Sequence, residues 1–297
     1  MAHSHETHQV SGSKLIFTII LNGVITAAQI VGGIISGSLA LISDAIHNLS
    51  DMVSVILAYI AQVLGQKPST QKSTFGYKRA EILAAFINAL ALIGISVFLV
   101  FEAVDRFSNL PEVDARWMFW LGLLGLVANG ISVLILEKEK NKSINIKAAY
   151  LHLLGDALTS FAVILGAVLI WLFEIYWVDP LVTILISIYL LVHTIKLLKE
   201  SVTILMQMAP SGLDIKKIEA RLMKLDGFQN VHHIHLWNLT DKLIHFECHI
   251  TLNNDINVSE TTSLLEKVQE ILHDEFDIEH VTVQFEYEPM HCVGCDS

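Results

Sequence analysis

Residues 39–64 read LALISDAIHNLSDMVSVILAYIAQVL, a long apolar run that encloses one histidine and two aspartates. A helix of about 20 apolar residues crosses a bilayer core about 30 Å thick, so this stretch predicts a transmembrane helix. Five further segments have the same length and character, at 15–36, 80–104, 117–136, 148–173 and 180–201. The sequence therefore predicts a multi-pass α-helical membrane protein with six transmembrane helices.

The composition agrees with this prediction. The 297 residues are 53% hydrophobic and 16% charged, with a mean hydropathy of +0.54, and a soluble chain of this size needs more charge to cover its surface. The first apolar run is too long for the core of a cleavable signal. We expect three parts, a cytoplasmic histidine-containing arm at 1–14, the six-helix transmembrane domain at 15–208 and a cytoplasmic metal-binding domain at 209–297.

The loop charges predict the orientation. Eleven basic residues lie on the side of the two termini, namely Lys14, Lys67, Lys72, Lys78, Arg79, Lys138, Lys140, Lys142, Lys147, Lys196 and Lys199. The opposite side carries only Arg106 and Arg116. Because basic loops stay in the cytoplasm, we expect both termini to be cytoplasmic.

Two predicted spans carry the same pair of ionisable residues. His47 and Asp51 lie in the second span, and His152 and Asp156 lie in the fifth. A separation of four residues puts both members of a pair on one helix face, one turn apart. Ionisable groups inside a membrane usually face a pathway or a partner, so we expect the two pairs to face each other.

Two imidazoles and two carboxylates form a ligand set that suits tetrahedral zinc. The lack of sulfur disfavours copper(I), and the imidazoles disfavour magnesium and calcium. These ligands also bind protons, so metal and protons compete for the site. The alternative is that each group is satisfied within the core by residues such as Ser43, Asn48 or Thr159, and Asp44 is either a fifth participant or a capping or access-path residue.

Three segments carry a resemblance to a known family. SGSLALISDAIHNLSDMVS (36–54), FGYKRAEILAAFINA (75–89) and AAYLHLLGDALTSFAVI (148–164) closely resemble the cation diffusion facilitator family, in particular its bacterial CzcD-like zinc/cadmium efflux members. The resemblance covers the whole chain. It implies an efflux transporter in the inner membrane of a cell, not an enzyme.

The resemblance also implies a mechanism and partners. In this family the paired histidine and aspartate positions bind the transported ion, here zinc with cadmium as a possible second substrate. Zinc/proton antiport by alternating access in a homodimer embedded in lipid is implied as well. One departure is the loop EKEKNKSINIK (137–147), which lacks the histidines of many relatives.

After Pro210 the pattern changes to that of a soluble α+β domain. It predicts helix 213–224, strand 229–239, strand 242–252, helix 258–275 and strand 279–288, with one polar sheet face. This arrangement resembles the ferredoxin-like, metallochaperone-like domain of the same family.

Histidines are concentrated in this domain. The resemblance assigns His232, His249 and Glu286 to a cytoplasmic metal site, in which Gln284 replaces a histidine found in bacterial relatives. Strand alternation instead puts His233 and His235, not His232, on the polar face, and we follow the resemblance because alternation is least reliable at the start of a strand. Weaker candidate metal ligands are His280, Cys292 and Cys295. The two cysteines bind metal either alone or together with the histidines of the HSHETH arm, His3, His5 and His8.

The charge of this domain limits its partners. From Pro210 onward there are 6 basic and 16 acidic residues, a net charge of −10, which argues against nucleic acid. Two such domains repel each other in a dimer, so bound zinc could also regulate transport by drawing them together. Other functions remain open, namely an intramembrane zinc enzyme, a metal sensor without transport, and a channel.

Overall fold

The computed structural model describes residues 12–137 and 144–287. The described residues form two compact units, one within Met1–Leu57 and Ile87–Leu197 and the other within Ala58–Phe86 and Leu198–Ser297. The first unit contains most of the long apolar helices. The second contains a small sheet with two shorter helices.

Six long helices come first in the chain. They are α1 Gly12–Ser36, α2 Leu39–Gly65, α3 Ala80–Arg106, α4 Ala115–Glu137, α5 Ile144–Phe173 and α6 Val178–Leu205. Within the described residues, the five helices α2 to α6 are long and apolar enough to cross a membrane, and Asn22–Ser36 of α1 is a shorter apolar helix. The chain is therefore a multi-pass membrane protein. Most of these helices extend beyond the ends of the predicted spans, because hydropathy detects only the apolar part of a helix.

The turn between α1 and α2 is short and is held by a residue distant in sequence. Gly37 adopts φ 71°, a left-handed conformation that suits glycine. The fully buried carboxylate of Asp179, in the first turn of α6, accepts three hydrogen bonds, from Ser38 Oγ at 2.5 Å, Leu39 N at 2.9 Å and Ala40 N at 3.2 Å. Asp179 thus satisfies the free N–H groups at the start of α2.

Small residues bring α4 close to its neighbours. A Cβ atom on Gly122 would lie 3.3 Å from Val163 of α5, and one on Gly125 would lie 2.5 Å from the Gln29 amide of α1. Close backbone approach of this kind is how membrane helices gain packing energy without a hydrophobic driving force. The buried core of this unit includes Met118 and Val163, both fully buried.

The second unit contains α7 Ile215–Leu222, β1 Phe228–Asn238, β2 Ile244–Leu252, α8 Val258–Phe276 and β3 His280–Glu286. The three-stranded sheet has the order β1-β2-β3, with β2 antiparallel to β1 and parallel to β3. Helix α8 joins β2 to β3, as a parallel connection requires. One face of the sheet packs into an apolar core that contains Phe246, Ile250 and Leu272.

Strand β1 contains a bulge that sequence alternation does not predict. His232 lies opposite His249 and His235 lies opposite Glu247, so the two residues 233 and 234 together face Cys248. His233 has φ 49°, in the left-handed region. The extra residue shifts the alternation of the strand, so that His232 and His235 both point away from the core.

The predicted alternation of buried and exposed side chains along β2 is only partly observed. Phe246, Cys248, Ile250 and Leu252 are buried on the core face, but His245 and Thr251 on the other face are buried too. His245 is covered by aromatic rings, since Trp237 stacks on it and the ring of His280 lies 4.3 Å away. The outer face of the sheet is therefore not uniformly solvated.

Candidate metal centres

Helices α2 and α5 bring their two histidine–aspartate pairs together. The contacts between the pairs are His47 Nε2 to Asp156 Oδ1 at 2.9 Å and His152 Nε2 to Asp51 Oδ2 at 3.5 Å. Within the pairs, His47 Nδ1 lies 3.6 Å from Asp51 Oδ2, and His152 Nε2 lies 3.8 Å from Asp156 Oδ2. These four residues are called the intramembrane cluster below.

The spacing of these atoms suits a metal ion. Two ligands of a tetrahedral zinc at bond lengths of about 2.0–2.1 Å lie roughly 3.3 Å apart, and the contacts of the cluster lie between 2.9 and 3.8 Å. One ligand atom each from His47, Asp51 and Asp156 can be chosen so that all lie within 4.8 Å of one another. His152 contacts both carboxylates from the open side of this group.

Burial divides the cluster into a closed and an open half. The side chains of His47 and Asp156 are 6% and 5% exposed, whereas those of Asp51 and His152 are 34% and 40% exposed. Asp51 and His152 line two cavities, of about 250 Å³ and about 150 Å³. An ion can therefore approach from the side of Asp51 and His152.

Asp44 does not join the cluster. It is fully buried one turn before His47, and its carboxylate accepts hydrogen bonds from Thr159 Oγ1 at 2.9 Å, Ser160 Oγ at 3.0 Å and Gln29 Nε2 at 3.3 Å. These donors lie on α5 and α1, so Asp44 ties three helices together beside the cluster. It lies inside α2 and does not cap that helix.

Sequence reasoning missed two residues near the cluster. The ring of His193 on α6 stacks on His152, with centroids 6.4 Å apart, and Tyr189 stacks on His193 at 6.5 Å. Both line the smaller cavity. Their spacing could have revealed them, because Tyr189 and His193 are polar residues four positions apart in an apolar span and therefore lie on one helix face.

The sheet brings together the three residues assigned to the cytoplasmic site. Glu286 Oε1 lies 3.0 Å from His249 Nδ1, and Glu286 Oε2 lies 3.5 Å from His232 Nε2. These three residues are called the sheet triad below. The Gln284 amide donates a hydrogen bond of 2.8 Å to Glu286 Oε1, so the residue in the place of a histidine holds the carboxylate.

The bulge in β1 explains the position of the triad. Regular alternation from His235 would turn His232 toward the core, as the sequence pattern indicated. The extra residue returns His232 to the outer face, opposite His249 in the strand register. The assignment by resemblance and the strand geometry are thus compatible.

Of the weaker candidates, only His280 lies within the described residues, and it is not part of the triad. His280 begins β3 beside His245, its register partner, at the other end of the pairing between β2 and β3 from Glu286. Cys292 and Cys295 lie outside the described residues, and so do His3, His5 and His8 of the arm. Cys248 is buried and free, and burial raises the pKa of its thiol to about 12.

Comparison with known proteins is consistent with these features. The family description "Cation efflux transmembrane domain" matches residues 15–206, and "Cation efflux protein, cytoplasmic domain" matches residues 210–288. The metal cation efflux system protein CzcD of Cupriavidus metallidurans is 37% identical over 97% of this chain and 90% of its own length.

Two further relatives show the same extent of similarity. The cadmium, cobalt and zinc/H(+)-K(+) antiporter of Bacillus subtilis is 38% identical over 97% of this chain and 93% of its own length. The zinc transporter ZitB of Escherichia coli is 36% identical over 99% of this chain and 96% of its own length. These proteins are transporters and not enzymes, as the sequence predicted for this chain. The chain belongs to the cation efflux family of membrane transporters, and the predicted family is confirmed.

Proposed function

We propose that this protein exports zinc from the cytoplasm in exchange for protons, with the intramembrane cluster as the transport site. In this proposal six helices cross the inner membrane of a cell and both termini are cytoplasmic. The chain acts as a homodimer in lipid, and residues 209–297 form a ferredoxin-like metal-binding domain after the transmembrane domain at 15–208 and the arm at 1–14.

The observation that carries the proposal is the convergence of His47, Asp51, His152 and Asp156. Two helices distant in sequence bring these four side chains into contact at 2.9 to 3.8 Å, and one ligand atom each from His47, Asp51 and Asp156 lies within 4.8 Å of the others. His47 Nδ1 and Asp51 Oδ2 are buried and make no hydrogen bond within the described residues. Buried polar atoms without hydrogen bonds are rare in folded proteins, and a cation bound between these two atoms, which lie 3.6 Å apart, would satisfy both.

The ligand chemistry favours zinc and its neighbours over other ions. Mixed imidazole and carboxylate ligands suit Zn²⁺, whereas magnesium and calcium prefer oxygen ligands and copper(I) prefers sulfur. The names of the relatives include zinc, cadmium and cobalt, which supports the same group of ions. Cadmium is therefore a second candidate substrate.

Proton exchange follows from the same ligands. Imidazole and carboxylate bind metal only after losing their protons, so metal entry releases protons and protonation expels the metal. Asp51 and His152 line both cavities and are the more exposed pair, so in this proposal they exchange protons there, whereas Asp156 and His47 each line one cavity and are nearly buried. A cluster that binds either ion but not both is the basic requirement of an antiporter.

The sheet triad is proposed as a regulatory zinc site. Glu286 is a carboxylate whose side chain is only 2% exposed, and its Oε2 atom makes no hydrogen bond within the described residues. A zinc ion held by His232, His249 and Glu286 would give this Oε2 atom a partner. Zinc at the triad would also reduce the negative charge of the domain. This charge makes two copies of the domain repel each other.

Zinc flux in proteoliposomes tests the transport site. The lumen is made acidic, zinc is added outside, and accumulation is followed with a lumenal zinc indicator. The native chain is compared with Asp51→Asn and Asp156→Asn, which keep the side-chain volume but remove one anionic ligand each. Asp105→Asn on α3 is the matched control, since Asp105 is an exposed carboxylate outside the cluster.

We expect flux to require the pH gradient, to fall at least 100-fold in both cluster variants and to be unchanged in the control. Loss of a ligand should exceed the 10- to 100-fold effect that is typical of an outer-shell partner of a metal, about 1.4–2.7 kcal/mol. Flux that survives both substitutions would show that the ion takes another route. Flux that is indifferent to the pH gradient would remove proton exchange from the proposal.

A further inference from the structure

Two histidines on the outer face of the sheet, His233 and His235, lie outside the triad. The Nε2 atoms of His233 and His235 are 3.3 Å apart, and their rings are nearly perpendicular at 88°. This distance lies within hydrogen-bonding range, so one ring can donate to the other when no metal is bound. It equals the separation of about 3.3 Å that two nitrogen ligands have on a tetrahedral zinc.

We propose that His233 and His235 bind a second divalent cation of the zinc class, separate from the ion of the sheet triad. This inference goes beyond the proposed function, because neither residue belongs to the intramembrane cluster or to the triad. The ion would be exposed on one side, since His235 is exposed and His233 is half-buried. An exposed ion held by these two nitrogens exchanges readily and has room for a third protein ligand and for water.

The backbone conformation at the bulge in β1 brings these two histidines together. His233 is one of four residues other than glycine with positive φ among the described residues, and it lies in the bulge. Strained conformations of this kind persist only where the surroundings hold them, and they concentrate at functional sites. The bulge directs the ring of His233 toward His235 and also to within 4.7 Å of the His249 ring, next to the triad.

In this proposal the third ligand is a carboxylate on the neighbouring strand. Glu247 is the register partner of His235 on β2, and both residues line a hollow of about 500 Å³. Directly paired residues on one sheet face have Cβ atoms about 4.5–5.5 Å apart, so rotation of the Glu247 side chain brings its carboxylate to the ion. Two imidazoles, one carboxylate and water form a common zinc environment.

Counting bound zinc tests this proposal on the full-length chain in detergent. The protein is prepared without a histidine tag, dialysed to equilibrium against Zn²⁺, and its zinc content is measured by mass spectrometry. The test variant is His233→Asn with His235→Asn, because asparagine tolerates the positive φ of position 233 and keeps the fold. His273→Asn, an exposed histidine on α8, is the matched control.

A second variant, His232→Ala with Glu286→Gln, removes the triad instead. We expect the His233/His235 variant to lose one zinc per chain, the triad variant to lose a different one, and their combination to lose two. The control keeps the native count. An unchanged count in the His233/His235 variant refutes the proposal, and so does loss of the same single ion in both variants, which would mean one shared centre.

The result is independent of transport. If the native chain shows no zinc flux driven by the pH gradient but the zinc counts change as expected, the proposed transport function fails while the second site stands. If flux is normal and the count in the His233/His235 variant is native, the second site alone is refuted.

Discussion

Replacing Asp179 by asparagine should destabilise the transmembrane unit although Asp179 lies outside the metal cluster. Its buried carboxylate accepts hydrogen bonds from Ser38 Oγ, Leu39 N and Ala40 N, and lies 3.9 Å from Arg106 Nη1. The amide of the introduced asparagine would keep one acceptor oxygen, but its NH₂ group would face a donor. At least one N–H or O–H group at the start of α2 would then lose its partner.

The expected magnitude follows from these contacts. A hydrogen bond to a charged group contributes about 1.5–3 kcal/mol, and the loss of a helix cap costs about 1 kcal/mol. Because the amide keeps one acceptor, we expect Asp179→Asn to reduce the free energy of unfolding by about 2–4 kcal/mol. In thermal unfolding in detergent, followed by circular dichroism, this corresponds to a midpoint roughly 5–10 °C lower.

The same arginine provides a matched control. Glu102 Oε1 lies 3.5 Å from Arg106 Nε, but the glutamate side chain is 40% exposed and is one turn away on the same helix. An exposed ion pair of this type contributes less than about 1 kcal/mol, so Glu102→Gln should leave the midpoint nearly unchanged. The reasoning is refuted if Asp179→Asn unfolds at the native temperature, or if both variants lose the same stability.

Two further predictions concern a cavity wall and the sheet core. In Gly155→Ala the new Cβ would overlap the Tyr189 hydroxyl, and an off-rotamer side chain costs about 0.5–1.5 kcal/mol. We therefore expect zinc flux to fall about 2- to 10-fold, whereas Gly94→Ala, which meets no atom within 4 Å, should transport normally. Equal flux in both variants would show that Tyr189 moves freely. For Cys248, burial raises the pKa to about 12, so the folded state keeps a proton that the unfolded chain releases from about pH 9. The contribution of this thiol to the free energy of unfolding is therefore constant below pH 9 and falls by about 1.4 kcal/mol per pH unit between pH 9 and pH 12. Denaturant titrations at several pH values give the free energy of unfolding of the native chain and of Cys248→Ala. Above pH 9 this free energy should fall more steeply with pH in the native chain, and equal slopes in the two proteins would contradict the prediction.

Much of the fold was predictable because membrane helices follow directly from composition. A bilayer requires long apolar helices with internally satisfied backbones, so the predicted spans coincide with helices α1 to α6 apart from their ends. The two pairs in the cluster were predictable as well, because polar residues in such helices are few and a spacing of four places them on one face. The family followed from the same motifs.

Contacts between distant segments could not be predicted in this way. Periodicity shows which face of α6 carries Tyr189 and His193, but only the packing of helices shows that this face meets His152. The sequence likewise does not reveal that Asp179 caps a helix that begins 140 residues earlier. Asp44 was ambiguous for the same reason, since its three donors come from two other helices.

The sequence by itself determined that the chain crosses a membrane, where its ionisable residues lie along the spans, and which family it belongs to. The tertiary structure alone decided which of the histidines in β1 can act together. Strand alternation separates His232 from His235, and a single extra residue at the bulge reverses this by placing both on the outer face. Such a shift depends on how the strand pairs with its neighbour, because register is a property of two strands and is not written in the local sequence of one.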